Sequence, residues 1–473
     1  MRLFPTSVIL LLAWGALAVG GSPSWAAAPV AVFAATTGIL GFLERRESAP
    51  TLPHRPVILA LCLFLAAIGV QLVPLPESIV TRLSPAHDVA AFERLLATAD
   101  RRDPELVPTV AAGASRPLSI APARTWWGLG FAAAFALFTL GAARGLSAVS
   151  LPRVSRGILL LGAVVAFMGL YQRTRDSFDL YGLYAPLAPS RLSAPFMNHN
   201  HQAGWLVMVS SLAIGLFVGE VARGMRTVAS AWRARILWFS TKQANVALLL
   251  LFTIALMAIA ILATQSRSGA ATFSLALVAM RWWGGRRQAS KLQRRAVTGG
   301  LIAVILLAVA ISGSDVAARI AGTSWYTMDG RVAVWNDTLP VLSHFWLTGT
   351  GFNTYGTAML HYQTAADGAQ YVEAHNDYLQ LAAEGGLLVG IPTLILISSL
   401  VVEIRRRFNE RADDTRTYWV RVGAVTGLVG IAAQSLVEFT LQMPGAAAMF
   451  ATLLAIAIHH PRPRMASPER HAE

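Results

Sequence analysis

The feature that most constrains this chain is a series of apolar runs, too many and too long for a water-soluble core. They fall at about 7–20, 25–43, 57–73, 125–143, 157–171, 202–221, 244–263, 268–283, 297–312, 383–402, 422–437 and 443–458. Most approach the roughly 17–25 residues that a helix needs to cross a bilayer. In lipid the backbone must satisfy its own hydrogen bonds, which favours helices. The reading is therefore an all-α, polytopic membrane protein of about twelve transmembrane helices. Composition agrees: 55% of the 473 residues are hydrophobic and 14% are charged, against about 25% charged in ordinary globular domains. Mean hydropathy is +0.53.

The formal charge of +14 could suggest a nucleic-acid partner, but that requires one folded basic face. Here the charge follows topology. With the N-terminus inside and the runs alternating, the inner segments collect most of the 39 Lys and Arg, including Arg144, Arg223, Arg286, Arg405 and Arg462. This is the positive-inside pattern, and it places both termini on the cytoplasmic side. The first run, behind Arg2, is read as an uncleaved helix. Cys62 is the single cysteine, which excludes an intramolecular disulfide.

The same pattern divides the chain. Helices 1–3 occupy 1–73, followed by an outer loop at 74–124. Helices 4–9 occupy 125–312, and a large outer loop spans 313–382. Helices 10–12 occupy 383–458, with an inner tail at 459–473. The first loop is proline-rich around one amphipathic stretch, Ala86–Ala97. In the second, Val332, Trp335, Leu339 and Leu342 recur at helical spacing with Asp329 as the expected N-cap. A second amphipathic helix is expected over Phe352–Tyr362.

The middle of each run is free of ionisable residues, which argues against a transporter with a midplane carboxylate relay. The chemically able residues cluster at outer ends. The densest group is Glu373-Ala374-His375-Asn376-Asp377-Tyr378-Leu379-Gln380, leading to Glu384 and Gly386. If helical, it places His375, Leu379, Ala382 and Gly386 on one face. A histidine there can serve as a general base near neutral pH. It can equally be an interfacial histidine beside solvated acids and an Asn cap. A second group runs from Arg191 through Asn198, His199, Asn200 and His201. A third is the expected outer turn Gln265-Ser266-Arg267-Ser268-Gly269. Arginines at such places can offer a bidentate fork to phosphate, or simply snorkel to headgroups. No Walker-type loop, G-x-S-x-G elbow or D-x-D pair occurs, and His199 and His201 have no zinc-ligand spacing. No metal or cofactor is predicted.

These clusters, in this topological order, resemble the O-antigen ligase family, which also contains O-antigen and exopolysaccharide polymerases of the bacterial envelope. The resemblance rests on His375-Asn376, Leu379-Gln380 and Glu384-Gly385-Gly386 entering the tenth helix behind a large loop. Arg191 and Ser266-Arg267-Ser268-Gly269 support it. It is strongest over about 190–390. One departure is Val389, where a glycine usually stands, with Gly390 one position later. The resemblance implies a GT-C-like inner-membrane glycosyltransferase, metal-independent and inverting, with its active site on the periplasmic side. Its donor would be a glycan on undecaprenyl pyrophosphate, and its acceptor a lipid A–core sugar or another glycan. Its partners would be these and membrane lipids, with no nucleic acid. His375 would be the base, and Arg191 and Arg267 would hold the pyrophosphate. Arg331, Asn376, Asn198, Asn200 and Glu384 would support them. Ligase is the first reading, polymerase the alternative, and a flippase for lipid-linked oligosaccharides a remoter one.

Overall fold

The computed structural model describes residues 3–44, 55–84, 86–87, 115–147, 149–175, 179–183, 193–225, 232–284, 291–321, 326–364, 370–409 and 415–460. Arg191 and most of the Ala86–Ala97 stretch lie outside them. Among the described residues the fold is all-helical, and its extended pairing is one isolated bridge between Leu75 and Arg116.

In chain order the helices are α1 (Leu3–Leu17), α2 (Ser24–Leu43), α3 (Arg55–Val70), α4 (Glu77–Leu83), α5 (Pro122–Gly145), α6 (Ser150–Gln172), α7 (His199–Gly224) and α8 (Trp232–Trp238). Then follow α9 (Lys242–Ala263), α10 (Arg267–Gly284), α11 (Lys291–Ala321), α12 (Tyr326–His344), α13 (Tyr355–Tyr362), α14 (Asp377–Asn409), α15 (Thr415–Gln434) and α16 (Pro444–Ile458). Every apolar run lies wholly or largely within a helix. Among the described residues, seven helices are long and apolar enough to cross a membrane: α2, α5, α6, α7, α9, α11 and α14. The chain is a multi-pass membrane protein.

The hub is α7, buried along its apolar length. A helix apolar on all sides belongs in the middle of a bundle, and α15, α9, α10 and α6 pack around it. Its contact with α15 is close because both sides are small. A Cβ on Gly215 would come within 2.4 Å of the Trp419 carbonyl oxygen, and one on Gly423 within 2.7 Å of the Ser211 oxygen. Small residues let membrane helices approach backbone to backbone. The outer flanks carry exposed Leu249, Phe252, Trp282, Leu306 and Leu394, a surface suited to hydrocarbon.

Several local expectations are corrected. The tenth apolar segment is not one regular helix with His375 on its face. α14 begins at Asp377, after His375, and is broken at Gly386, whose backbone (φ 53°, ψ −153°) is non-helical. The break lets residues 383–388 pair with 346–351: Thr350 and Gly351 N–H donate to the carbonyls of Ala383 and Glu384. In return, Leu387 and Leu388 N–H donate to those of Trp346 and Leu347. This backbone pairing requires the left-handed conformation at Gly386, which glycine adopts readily. Val389, the departure noted above, is fully buried and packs with Ala67 and Ile68.

α12 starts at Tyr326, so Asp329 lies inside the helix rather than at its cap. Its buried face is Val334, Thr338 and Val341, continued by Phe345 just past its end, while Val332 and Leu339 stand exposed. The rotation places the Thr338 hydroxyl 2.7 Å from that of Tyr355, satisfying two polar groups inside an otherwise apolar cluster. α13 starts at Tyr355, three residues later than expected. α11 continues to Ala321, beyond the apolar run ending near 312.

Candidate active site

His375 lies immediately before α14 in left-handed backbone, φ 51°, a conformation in which histidine is among the more tolerated non-glycine residues. Its neighbours are fixed on three sides. The Ala374 carbonyl accepts from the Trp335 indole of α12 at 3.0 Å. The Ala374 N–H donates to Gln380 Oε1 at 3.1 Å. The Asp377 N–H donates to the Ser435 carbonyl at 2.9 Å. Asn376 closes the helix end, its Oδ1 accepting from the N–H groups of Tyr378 (3.1 Å) and Leu379 (3.0 Å). This is an N-cap role. The Tyr378 hydroxyl donates to the Ala432 carbonyl at 2.7 Å, stitching α14 to α15.

The imidazole of His375 stands edge-on to Phe439, with ring centroids 4.7 Å apart. His201 of α7 meets the same phenyl ring at 4.6 Å. His375 Nδ1 is buried with no hydrogen-bond partner. Burial, and then the Arg331 charge, pull the His375 pKa down from 6.5 to about 4, which keeps the ring neutral and lowers its affinity for a proton.

Beside Phe439 is Glu438, which joins elements far apart in sequence. Its carboxylate pairs with the Arg331 guanidinium of α12 and accepts from Ser268 Oγ of α10 at 3.3 Å. The Asn200 side chain lies beside it. Burial pushes Glu438 up to about 7, with Arg331 and then Ser268 opposing the shift.

The connection from α9 to α10 is tighter than expected, because α10 begins at Arg267 itself. Ser266 caps this helix, its Oγ accepting from the Gly269 N–H at 3.1 Å. Arg267 is exposed at the first turn, next to the serine that touches Glu438. Asn198 caps α7 by accepting from the Asn200 N–H at 2.8 Å.

The structure therefore brings His375, Arg331, Asn200 and the Arg267 turn toward one locus. Glu384 belongs elsewhere. Its two carboxylate oxygens accept from the N–H groups of Asn353 (2.8 Å) and Tyr355 (3.0 Å), so it fastens the start of α13 to α14. Glu373 accepts from Gln380 Nε2 at 2.7 Å, and burial raises its carboxyl to about 8. Among the described residues, no three His, Cys, Asp or Glu side chains converge as a metal site requires.

Sequence reasoning missed Glu438 and Phe439. Glu438 did leave a signal: it is the lone charged residue between Val422 and Ile458, and it falls at the outer turn between two apolar runs.

Comparison with known proteins places this locus in context. Residues 252–394 match the family model described as O-Antigen ligase, the family that the sequence resembles. The match includes Arg267, Arg331, His375, Asn376 and Glu384, and supports an O-antigen ligase-like function in surface polysaccharide biosynthesis. No curated protein matches the chain.

Proposed function

With the O-antigen ligase match as premise, we propose that this chain is a glycosyltransferase of the bacterial inner membrane, acting on the periplasmic face. It crosses the bilayer about twelve times in a GT-C-like frame, with both termini in the cytoplasm. The distribution of arginines supports that orientation, since the residues around His375 then lie outside. The donor is a glycan on undecaprenyl pyrophosphate. The acceptor is a sugar hydroxyl, first of all on lipid A–core.

The chemistry follows from the charges. The acceptor oxygen attacks the anomeric carbon from the side opposite the leaving group, with inversion. Its proton passes to His375 as the new C–O bond forms. The bond from the anomeric carbon to the pyrophosphate oxygen breaks, and its electron pair leaves with the phosphate. A diphosphate is a good leaving group once its charge is neutralised, and guanidinium groups can do this without a metal ion. Arg191 and Arg267 take that role, joined by Arg331. Asn376, Asn198 and Asn200 shape the backbone and side-chain frame around the locus, and Glu384 secures the loop.

The observation that carries the reading is the place of the His375 imidazole: on backbone fixed by Trp335, Gln380 and Ser435, beside Phe439 and the Arg331–Glu438 pair. The test is transfer by purified protein in proteoliposomes containing undecaprenyl-pyrophosphate glycan, with lipid A–core or a second lipid-linked repeat unit as acceptor. Product on lipid A–core supports a ligase. A ladder formed from repeat units alone reassigns the chain as a polymerase. Lipid movement without a new glycosidic bond refutes the transferase reading in favour of a flippase.

A further inference from the structure

Glu438 is a costly residue in its position. Its side chain is 1% exposed, and a buried carboxylate is expensive unless paired and hydrogen-bonded. The partner, Arg331, keeps 23% of its side chain exposed, so the pair is not a sealed internal salt bridge. Replacing a buried ion pair with well-packed apolar residues is often neutral or stabilising, so fold stability alone gives little reason for an acid here.

Its neighbours suggest another reason. Glu438 Oε1 receives Arg331 Nη2 from α12 and Ser268 Oγ from α10, and Asn200 approaches from α7. Each comes from a different element; Arg331 is, and Ser268 adjoins, a group that the proposed function assigns to the donor phosphates, and Asn200 belongs to the frame around them. The next residue, Phe439, supports the imidazoles of His375 and His201. A guanidinium gripped at one nitrogen retains the rest of its donor fork for an anion. Arginine left unpaired on a helix surface would sample many rotamers, and ordering it would weaken anion binding.

We propose that Glu438 is a positioning residue of the donor-phosphate site: its carboxylate aims Arg331 and ties α12, the Ser268 turn of α10 and Asn200 of α7 into one preformed anion cradle. This deepens the proposed function and rests on it. Glu438 touches neither the reacting atoms nor the phosphate; it acts through Arg331.

The test compares wild type with Glu438→Gln, which keeps the shape and removes the charge, and Glu438→Asp, which keeps the charge and retracts it by one methylene. Both are examined alone and with Arg331→Gln, with thermal midpoints recorded as the check on folding. Binding of undecaprenyl pyrophosphate is measured in lipid nanodiscs, and donor KM and kcat in the transfer assay. Glu438→Gln is expected to weaken lipid binding and raise donor KM by about tenfold, the scale of one charge-assisted hydrogen bond, with a smaller effect on kcat. Glu438→Asp gives the same pattern at smaller size, so the proposal stays open to refutation even if the Gln variant folds poorly. In the Arg331→Gln background the Glu438 effect is lost. Unchanged donor KM in an active Glu438→Gln enzyme, or an equal penalty with and without Arg331, overturns the positioning role and leaves the transferase reading intact. A wild type that neither binds undecaprenyl pyrophosphate nor transfers glycan overturns both.

Discussion

His375→Asn separates chemistry from folding, because the two roles proposed for this residue differ widely in size. Asparagine tolerates the left-handed backbone at φ 51°, so the turn into α14 survives. No hydrogen bond at Nδ1 is lost, since that atom has no partner. The contact that disappears is the edge-on packing against Phe439 at 4.7 Å, worth about 0.5–1.5 kcal/mol. Removing a positioned general base lowers a rate by about 10²–10⁴-fold, which corresponds to roughly 3–5 kcal/mol of barrier. Transfer should therefore fall by at least about a hundredfold, while the thermal midpoint moves by only a few degrees. Initial rates in proteoliposomes at saturating donor and acceptor, paired with thermal unfolding of the same preparation, measure both. A variant that retains rates within a few-fold of wild type refutes the general-base assignment. Equal losses of fold and rate assign His375 to structure instead.

Three other perturbations probe the frame and its titration. Gly386→Ala places a Cβ about 2.5 Å from the Gly349 nitrogen in a backbone region almost reserved for glycine. It should cost more than about 3 kcal/mol and expose the 345–351 segment to protease, so a wild-type midpoint and cleavage pattern would count against the pairing. Arg421→Lys removes most of a grip on three carbonyls, those of Ala457 (3.1 Å), Arg407 (3.2 Å) and His459 (2.6 Å). A loss of about 3 kcal/mol in stability is expected, with donor KM unchanged in the surviving enzyme because Arg421 lies at the opposite end of α15 from Ser435. Glu373 has its pKa raised from 4.5 to about 8 by burial, so between those values the folded state holds a proton that the unfolded chain has released, and stability falls as pH rises. Glu373→Gln abolishes that slope, and its midpoint should gain on wild type between pH 5 and 8; a constant difference across that range contradicts the buried acid.

What the sequence made legible follows from the periodicity of burial. The apolar runs located the helices because lipid forces a local solution on each segment. His375-Asn376 was readable as a helix start, and Asn376 caps α14 as its residue type suggests. The failures are tertiary. The Val332–Leu342 spacing was real, yet Val332 and Leu339 are exposed, because the Thr338–Tyr355 hydroxyl pair helps set which side of α12 turns inward. The Gly385-Gly386 pair permits a break in residues 377–390 without announcing that Gly386 makes one. That depends on Trp346 and Leu347, some forty residues earlier, offering carbonyls to Leu387 and Leu388. Glu384 read as a possible site residue because the family resemblance carries it in the same run as His375. Three-dimensional structure turns it instead toward the Asn353 and Tyr355 amides.

The break at Gly386 and the grip of Glu384 have a common consequence for the locus around His375. A continuous α14 would carry any tilt of the membrane-embedded helix directly to its outer end. With the break, residues 377–385 are held instead by the outer loop on one side, through Thr350 and Gly351, and by the 435–442 turn on the other, through Asp377 and Ser435. The same turn carries Glu438 and Phe439. The backbone that presents His375 and the carboxylate that holds Arg331 are thus joined through the same loop and turn contacts. Catalysis by positioned charge depends on fixed geometry rather than on reorganisation. Under the proposed function, whose donor is a membrane lipid, that geometry is held by loop and turn contacts rather than by the long helix alone.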